Sequence, residues 1–258
     1  MSYSNKTFTL TFCDRAENHK GMQMIGDIAN HGFTLQDLKA TKHNFEVAGY
    51  KSTLVKLNKL LPADVDADNA YILIIRNGVD CILGNKGDRD DLFTEQDELD
   101  HDKKAFMYGR VVNKHARHNL CFSDVAQEPD YEDGKGRIVA FDDVPLTKYL
   151  RNNFKKYIPD KAAELQAEGN YYYDVNKCGI GYHGDSERVI VIGVRLGETL
   201  SLHYQWYHNS QAVGKNLRLE LHHGDVYLMS EKATGNDWKK KLIYTLRHAA
   251  GCNKYTDL

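Results

Sequence analysis

The last third of the chain constrains the fold most. From residue 170 onward, six short segments rich in β-branched and aromatic residues follow one another, at 170–175, 189–196, 201–206, 217–221, 225–229 and 242–248. Glycine-bearing turns separate them, as at Leu196-Gly197 and His223-Gly224-Asp225. Strands this short bury little surface singly, so they must pair with one another. After a helix-bearing lead-in, such a run predicts a double-stranded β-helix, or jelly roll. The expected class is α+β, with a C-terminal jelly roll and an N-terminal α+β lead-in.

That lead-in is less regular. Residues 7–13 alternate polar and apolar, which predicts a strand with Phe8, Leu10 and Phe12 facing inward. Leu35 to Ala48 has helical spacing, with Thr34 as N-cap and Gly49 as the stop. Ser52 to Leu61 repeats that spacing and Pro62 ends it. Tyr71–Ile75 and Val79–Leu83 flank Arg76-Asn77-Gly78, where Asn-Gly favours a type I′ hairpin turn. Residues 84–104 are Gly- and Asp-rich but lack calcium-loop spacing, so they read as a solvated connector. A boundary placed there divides the chain into an N-terminal region, 1–104, and a second region, 105–258. In the second, Val144 to Ile158 is amphipathic, with Leu146, Leu150 and Phe154 on one helical face.

Charge and cysteine usage narrow the classes. The formal net charge is −2 with no long basic block, so overall charge lends no support to non-specific nucleic-acid binding. Five scattered cysteines without a C-x-x-C pair fit reduced thiols in a cytoplasmic or nuclear compartment. No apolar stretch reaches the roughly 18 residues of a membrane helix, so no membrane partner is expected. The opening Met-Ser-Tyr-Ser-Asn-Lys lacks the apolar core of a signal peptide.

The chemistry starts at His183-Gly184-Asp185, which leads into the apolar run Val189–Val194. In an extended segment, residues two apart point the same way, so an imidazole and a carboxylate share one side. That arrangement supplies two of the three ligands of a 2-His-1-carboxylate iron site. Four further pieces stand around it in order. Tyr173 lies ten residues before His183; the strand Ile190–Gly197 ends in Leu-Gly; His223-Gly224-Asp225 opens the strand Val226–Met229; and Ile243-Tyr244-Thr245-Leu246-Arg247 stands near the end. Together these pieces resemble the AlkB-like branch of the iron- and 2-oxoglutarate-dependent dioxygenases, over residues 113–251.

The resemblance implies Fe(II) and 2-oxoglutarate as cofactors, O2 as co-substrate, and oxidation or demethylation of a modified base in DNA or RNA. It implies His183 and Asp185 as catalytic metal ligands and Tyr173 as a contact to 2-oxoglutarate. Arg247 would grip the distal carboxylate of that oxo acid in a bidentate pair. Tyr171 stands where the family has Asn. The family's distal histidine is missing from Ala233–Lys240. His248 would complete a 2-His-1-carboxylate set, although it and Arg247 are neighbours and face opposite ways in a regular strand. Asp237 is a second candidate, and His203, His222 and His223 are others. With no third ligand the chain would be an inactive jelly-roll binding module. A protein side chain or small metabolite is the alternative substrate. Lys114, His115, Arg117 and His118 would meet phosphates or form a generic basic loop, and the aromatic residues Tyr171, Tyr172, Tyr173, Tyr204, Trp206 and Tyr207 would stack a base or fill the core.

Overall fold

A computed structural model describes residues 3–258. The first strand, β1 (Thr7–Cys13), is buried along its whole length. Its alternation turns Phe8, Leu10 and Phe12 into the main apolar core, leaving Thr7, Thr9 and Thr11 on the opposite face. Two-residue strands β2 (Ala16–Glu17) and β3 (Met24–Ile25) pair to form a small strap. Helix α1 (Leu35–Val47) starts at the expected Thr34, whose hydroxyl accepts from Asp37 N while the Asp37 carboxylate accepts from Thr34 N.

Three stretches of the lead-in differ from their sequence pattern. Ser52–Leu61 is strand β4 (Ser52–Lys56) followed by a 3-10 turn, Leu57–Leu60. Pairing with β5 (Tyr71–Ile75) recruits it, and Leu57 is buried beneath Trp206, whose indole N–H donates to the Leu57 carbonyl at 2.9 Å. After β5 there is no hairpin. Asn77 adopts φ 56° and opens helix α2 (Gly78–Leu83), which buries Val79, Ile82 and Leu83. Those three stand at i, i+3 and i+4, a helical face whose burial outweighs the turn preference of Asn-Gly. The acidic connector contains α3 (Arg89–Asp97), capped by Asp88 and anchored by Leu92, Phe93 and Gln96.

A hairpin, β6 (Lys104–Met107) and β7 (Arg110–Asn113), precedes β8 (His118–Ser123) and β9 (Ile138–Ala140). Pro at its first turn starts α4 (Pro145–Asn153), and the remainder of the predicted helix is a 3-10 turn. The expected β-rich region follows as β10 (Gln166–Tyr172), β11 (Gly179–His183), β12 (Val191–Gly197), β13 (Leu200–His208) and β14 (Gln211–Leu221). It ends with β15 (Val226–Met229), α5 (Glu231–Thr234), β16 (Thr245–Gly251) and α6 (Asn253–Thr256).

The chain is α+β and mostly sheet. An eight-stranded mixed sheet has the order β4-β5-β15-β12-β1-β10-β8-β9, antiparallel except for the β8–β9 pair. A four-stranded antiparallel sheet has the order β11-β16-β13-β14. One face of the large sheet carries Phe8, Leu10 and Phe12 into a core shared with α1 to α4. From the other face, Val191, Tyr227 and Met229 meet Leu202, Tyr204, Trp206 and Leu246 of the small sheet. Strands from both sides of residue 104 share the large sheet, with β1 between β10 and β12. The break expected there does not separate two sheets. Among the described residues, no helix is long and apolar enough to cross a membrane.

Candidate metal centre

His183 ends β11 and His248 lies directly opposite it on the neighbouring β16, after a bulge between Ile180 and His183. Asp185 follows two residues beyond, in the loop. One ligand atom from each of His183, Asp185 and His248 lies within 4.8 Å of the others. Both imidazole Nε2 atoms are 3.6 Å from Asp185 Oδ1, and the two ring centroids are 4.4 Å apart. His183 Nδ1 lies 2.8 Å from the Gly181 carbonyl. A carbonyl can only accept, so Nδ1 carries the proton and Nε2 offers its lone pair.

The loop is held by its backbone. Asp185 N donates to the Thr234 carbonyl at 2.9 Å. A Cβ on Gly184 would stand 2.1 Å from the Gly235 carbonyl oxygen, so only glycine lets the loop close against the turn after α5. Burial, with His248 adjacent, lowers the His183 pKa to about 3. Burial opposes ionisation of Asp185, but His248 and Arg188 outweigh it and hold the carboxyl below its ordinary range. A neutral His183 beside an ionised carboxylate is the protonation state a divalent metal requires.

The three residues line a cavity of about 460 Å³ between the sheets. Across from them stands Arg195 of β12, 1% exposed. Its Nε and Nη1 have no hydrogen-bond partner, and burial lowers its pKa. Tyr172 and Tyr227 line the same cavity, as does Thr9, whose hydroxyl is also unpartnered. Arg188 is equally buried, yet it is paired with Glu168 and Glu187. At the margin are Lys20 and Lys239, each 5.9 Å from the Trp238 ring centroid. Arg117 lines the cavity too, its Nε donating to Asn170 Oδ1 at 2.7 Å.

His183, Asp185 and His248 are thus brought together; other residues singled out from sequence are not. Tyr173 lies off the cavity, its hydroxyl donating to the His115 carbonyl at 2.7 Å and its ring stacked on His118. Tyr172, one residue earlier, faces the cavity instead. Arg247 points the other way from His248, its guanidinium 4.0 Å from the Tyr207 ring centroid and 5.1 Å from that of Trp238. Asp237 binds Lys232 at 2.7 Å. His203 faces Asn216, His222 faces Thr199, and His223 accepts from Gly197 N. Of the basic loop, Arg117 alone lines the cavity, while Lys114 is buried on Asn18 at 2.8 Å. Tyr204 and Trp206 belong to the apolar packing between the sheets. Sequence reasoning passed over Arg195, although a charge inside the apolar run Val189–Leu196 was a usable signal, because buried charges need partners.

No model of a known protein family matches the chain. A protein of Acanthamoeba polyphaga mimivirus, "Uncharacterized protein R156", is 50% identical to it over 257 residues, covering 99% of each chain.

Proposed function

Since the chain belongs to one family with the mimivirus protein R156, whose name states no chemistry, we propose a function from the cavity: an Fe(II)- and 2-oxoglutarate-dependent dioxygenase of AlkB-like type. The convergence of His183, Asp185 and His248 carries this reading. Two imidazoles and one carboxylate on one side of a metal suit Fe(II) and leave its other side to an oxo acid and O2. Bound there, iron would couple decarboxylation of 2-oxoglutarate to succinate with oxidation of a substrate C–H bond.

The strand path supports the fold half of the reading. From β10 to β13 the chain alternates between the two sheets; after the β13–β14 hairpin it crosses again to β15 and back to β16. We read this winding as a double-stranded β-helix. The place between β10 and β12 is filled by β1, from the far end of the sequence.

The protein's own residues do the positioning. The bond from His183 Nδ1 to Gly181 aims Nε2, and the Gly184–Gly235 contact sets Asp185. The strap residues Asn18 to Gly21 and Trp238 narrow the cavity, which keeps bulk water from the reacting centre. Lys20 and Lys239 beside Trp238, with Arg117 elsewhere in the cavity lining, suit an anionic substrate with a flat apolar part. A modified base in DNA or RNA has that character, despite the overall charge of −2.

Anaerobic titration with Fe(II) and 2-oxoglutarate tests the centre. A weak visible charge-transfer band is expected in wild type and in Asp237→Ala, and its loss is expected in His248→Ala. No band from folded wild-type protein would sink the enzyme reading and leave a binding module. Succinate release stimulated by methylated oligonucleotides, and not by peptides, is the expected substrate result.

A further inference from the structure

We infer that Arg195 receives the remote carboxylate of the oxo-acid cosubstrate, in place of the Arg247 that the sequence pattern suggests. This rests on the metal-centre reading and adds to it the residue that selects a dicarboxylate. The observation is an imbalance. Arg195 is 1% exposed, and neither Nε nor Nη1 has a partner. The other buried arginines each meet a carboxylate: Arg188, though its Nε is unpartnered, pairs with Glu168 and Glu187, and Arg151 pairs with Asp124 and donates to the Leu165 carbonyl. A buried guanidinium left alone is costly, and a folded chain tolerates it where a ligand supplies the counter-charge.

No protein carboxylate fills that role. Arg195 feels the charge of Asp225, but the Asp225 oxygens accept from Arg76 and from the backbone N–H groups of Asn77 and His222. Neutral hydroxyls surround the guanidinium instead. Thr9 lies directly opposite Arg195 in the β1–β12 register, and its own hydroxyl is unpartnered. Two unsatisfied polar side chains therefore stand side by side on the large sheet. Tyr227 crosses the neighbouring Gly193, where a Cβ would meet its ring at 1.9 Å, and Tyr172 adds a second phenol to the cavity. A guanidinium ringed by hydroxyl donors is an anion receiver, with two parallel N–H groups matched to a carboxylate.

The metal triad lines the same cavity from the small sheet. A ligand spanning both walls needs a chelating acid group for the metal and a second anionic end for Arg195. 2-Oxoglutarate has both; pyruvate has the first alone. Arg247, stacked between Tyr207 and Trp238, does not line the cavity and cannot discriminate the two.

The test uses the full chain loaded with Co(II), with binding of 2-oxoglutarate and of pyruvate measured by calorimetry. Wild type should prefer 2-oxoglutarate by roughly 10- to 100-fold, the range expected for hydrogen bonds to a charged group. Arg195→Met should abolish that margin while leaving pyruvate within about 3-fold, and Arg195→Lys should retain part of it, a lysine keeping the charge without the fork. Arg247→Met should leave the margin intact. In ligand-free protein, Arg195→Met should raise the unfolding temperature, because an uncompensated buried charge is gone. If Arg195→Met keeps the margin, or weakens both acids equally while lowering the unfolding temperature, Arg195 is structural and the inference is overturned. If the folded protein takes up no Co(II), the metal-centre reading falls and this one with it. Co(II) uptake without an Arg195-dependent margin removes this one alone.

Discussion

His101 packs beside the stacked rings of Phe8 and Tyr171, with ring centroids at 5.4 and 5.0 Å, is 6% exposed, and has no partner for Nε2. Burial lowers its pKa to about 4, against about 6.5 for a solvated imidazole. Between those values the unfolded chain binds the extra proton and the folded chain does not. Stability therefore falls as pH drops below about 6.5, and this contribution levels off once the folded-state pKa is passed. At pH 5 the loss from this one group is about 2 kcal/mol at most. Urea unfolding at pH 7 and pH 5 should show a smaller acid loss in His101→Phe than in wild type by up to that amount; equal losses would contradict the assignment. At this same scale, His183 and Asp185 were legible because a two-residue spacing fixes a shared side of an extended chain. Arg195 stood out as a charge in an apolar run, but that it and Tyr172 face one cavity was not legible, because facing a cavity depends on what lies across it.

Among the elements, α1 was readable from Thr34 and its apolar spacing, whereas α3 was hidden. Its acidic sequence presents two buried apolar residues, Leu92 and Phe93, and a buried Gln96 whose amide donates to Thr147 at 2.8 Å. A polar residue buried by a distant partner leaves no periodic trace. The start of α3 is nevertheless local: Asp88 accepts from the backbone N–H groups of Asp90 and Asp91, and Asp91 returns a bond to Asp88 N. Asp88→Ala should cost about 1 kcal/mol, in line with other N-cap losses, read as a lower urea midpoint with unchanged slope. No loss would mean that tertiary packing alone sets this helix. In β4 and α2 the outcome was set by partners. β4 took the free edge of β5, and Val79, Ile82 and Leu83 found the main core.

Over the whole molecule, β1 is the central fact. It pairs with β10 on one side and β12 on the other, and Thr9 and Thr11 form part of the cavity wall. A fragment of residues 105–258 lacks β1, β4 and β5 and exposes the edges they cover. It should show no cooperative unfolding and no Co(II) uptake; a fragment that folds and binds metal would support a boundary at 104. The sequence by itself determined the β-rich end, the first helix, the inward face of β1 and the His183–Asp185 pair, because these follow from spacing and turn chemistry acting over a few residues. Tertiary structure alone decided that His248 stands opposite His183, that Arg247 turns away while Arg195 is buried unpaired, and that β1 joins β10 to β12 within the large sheet. Those outcomes come from strand register and from burial between residues far apart in the chain, where a shift of one residue would turn every side chain to the other face.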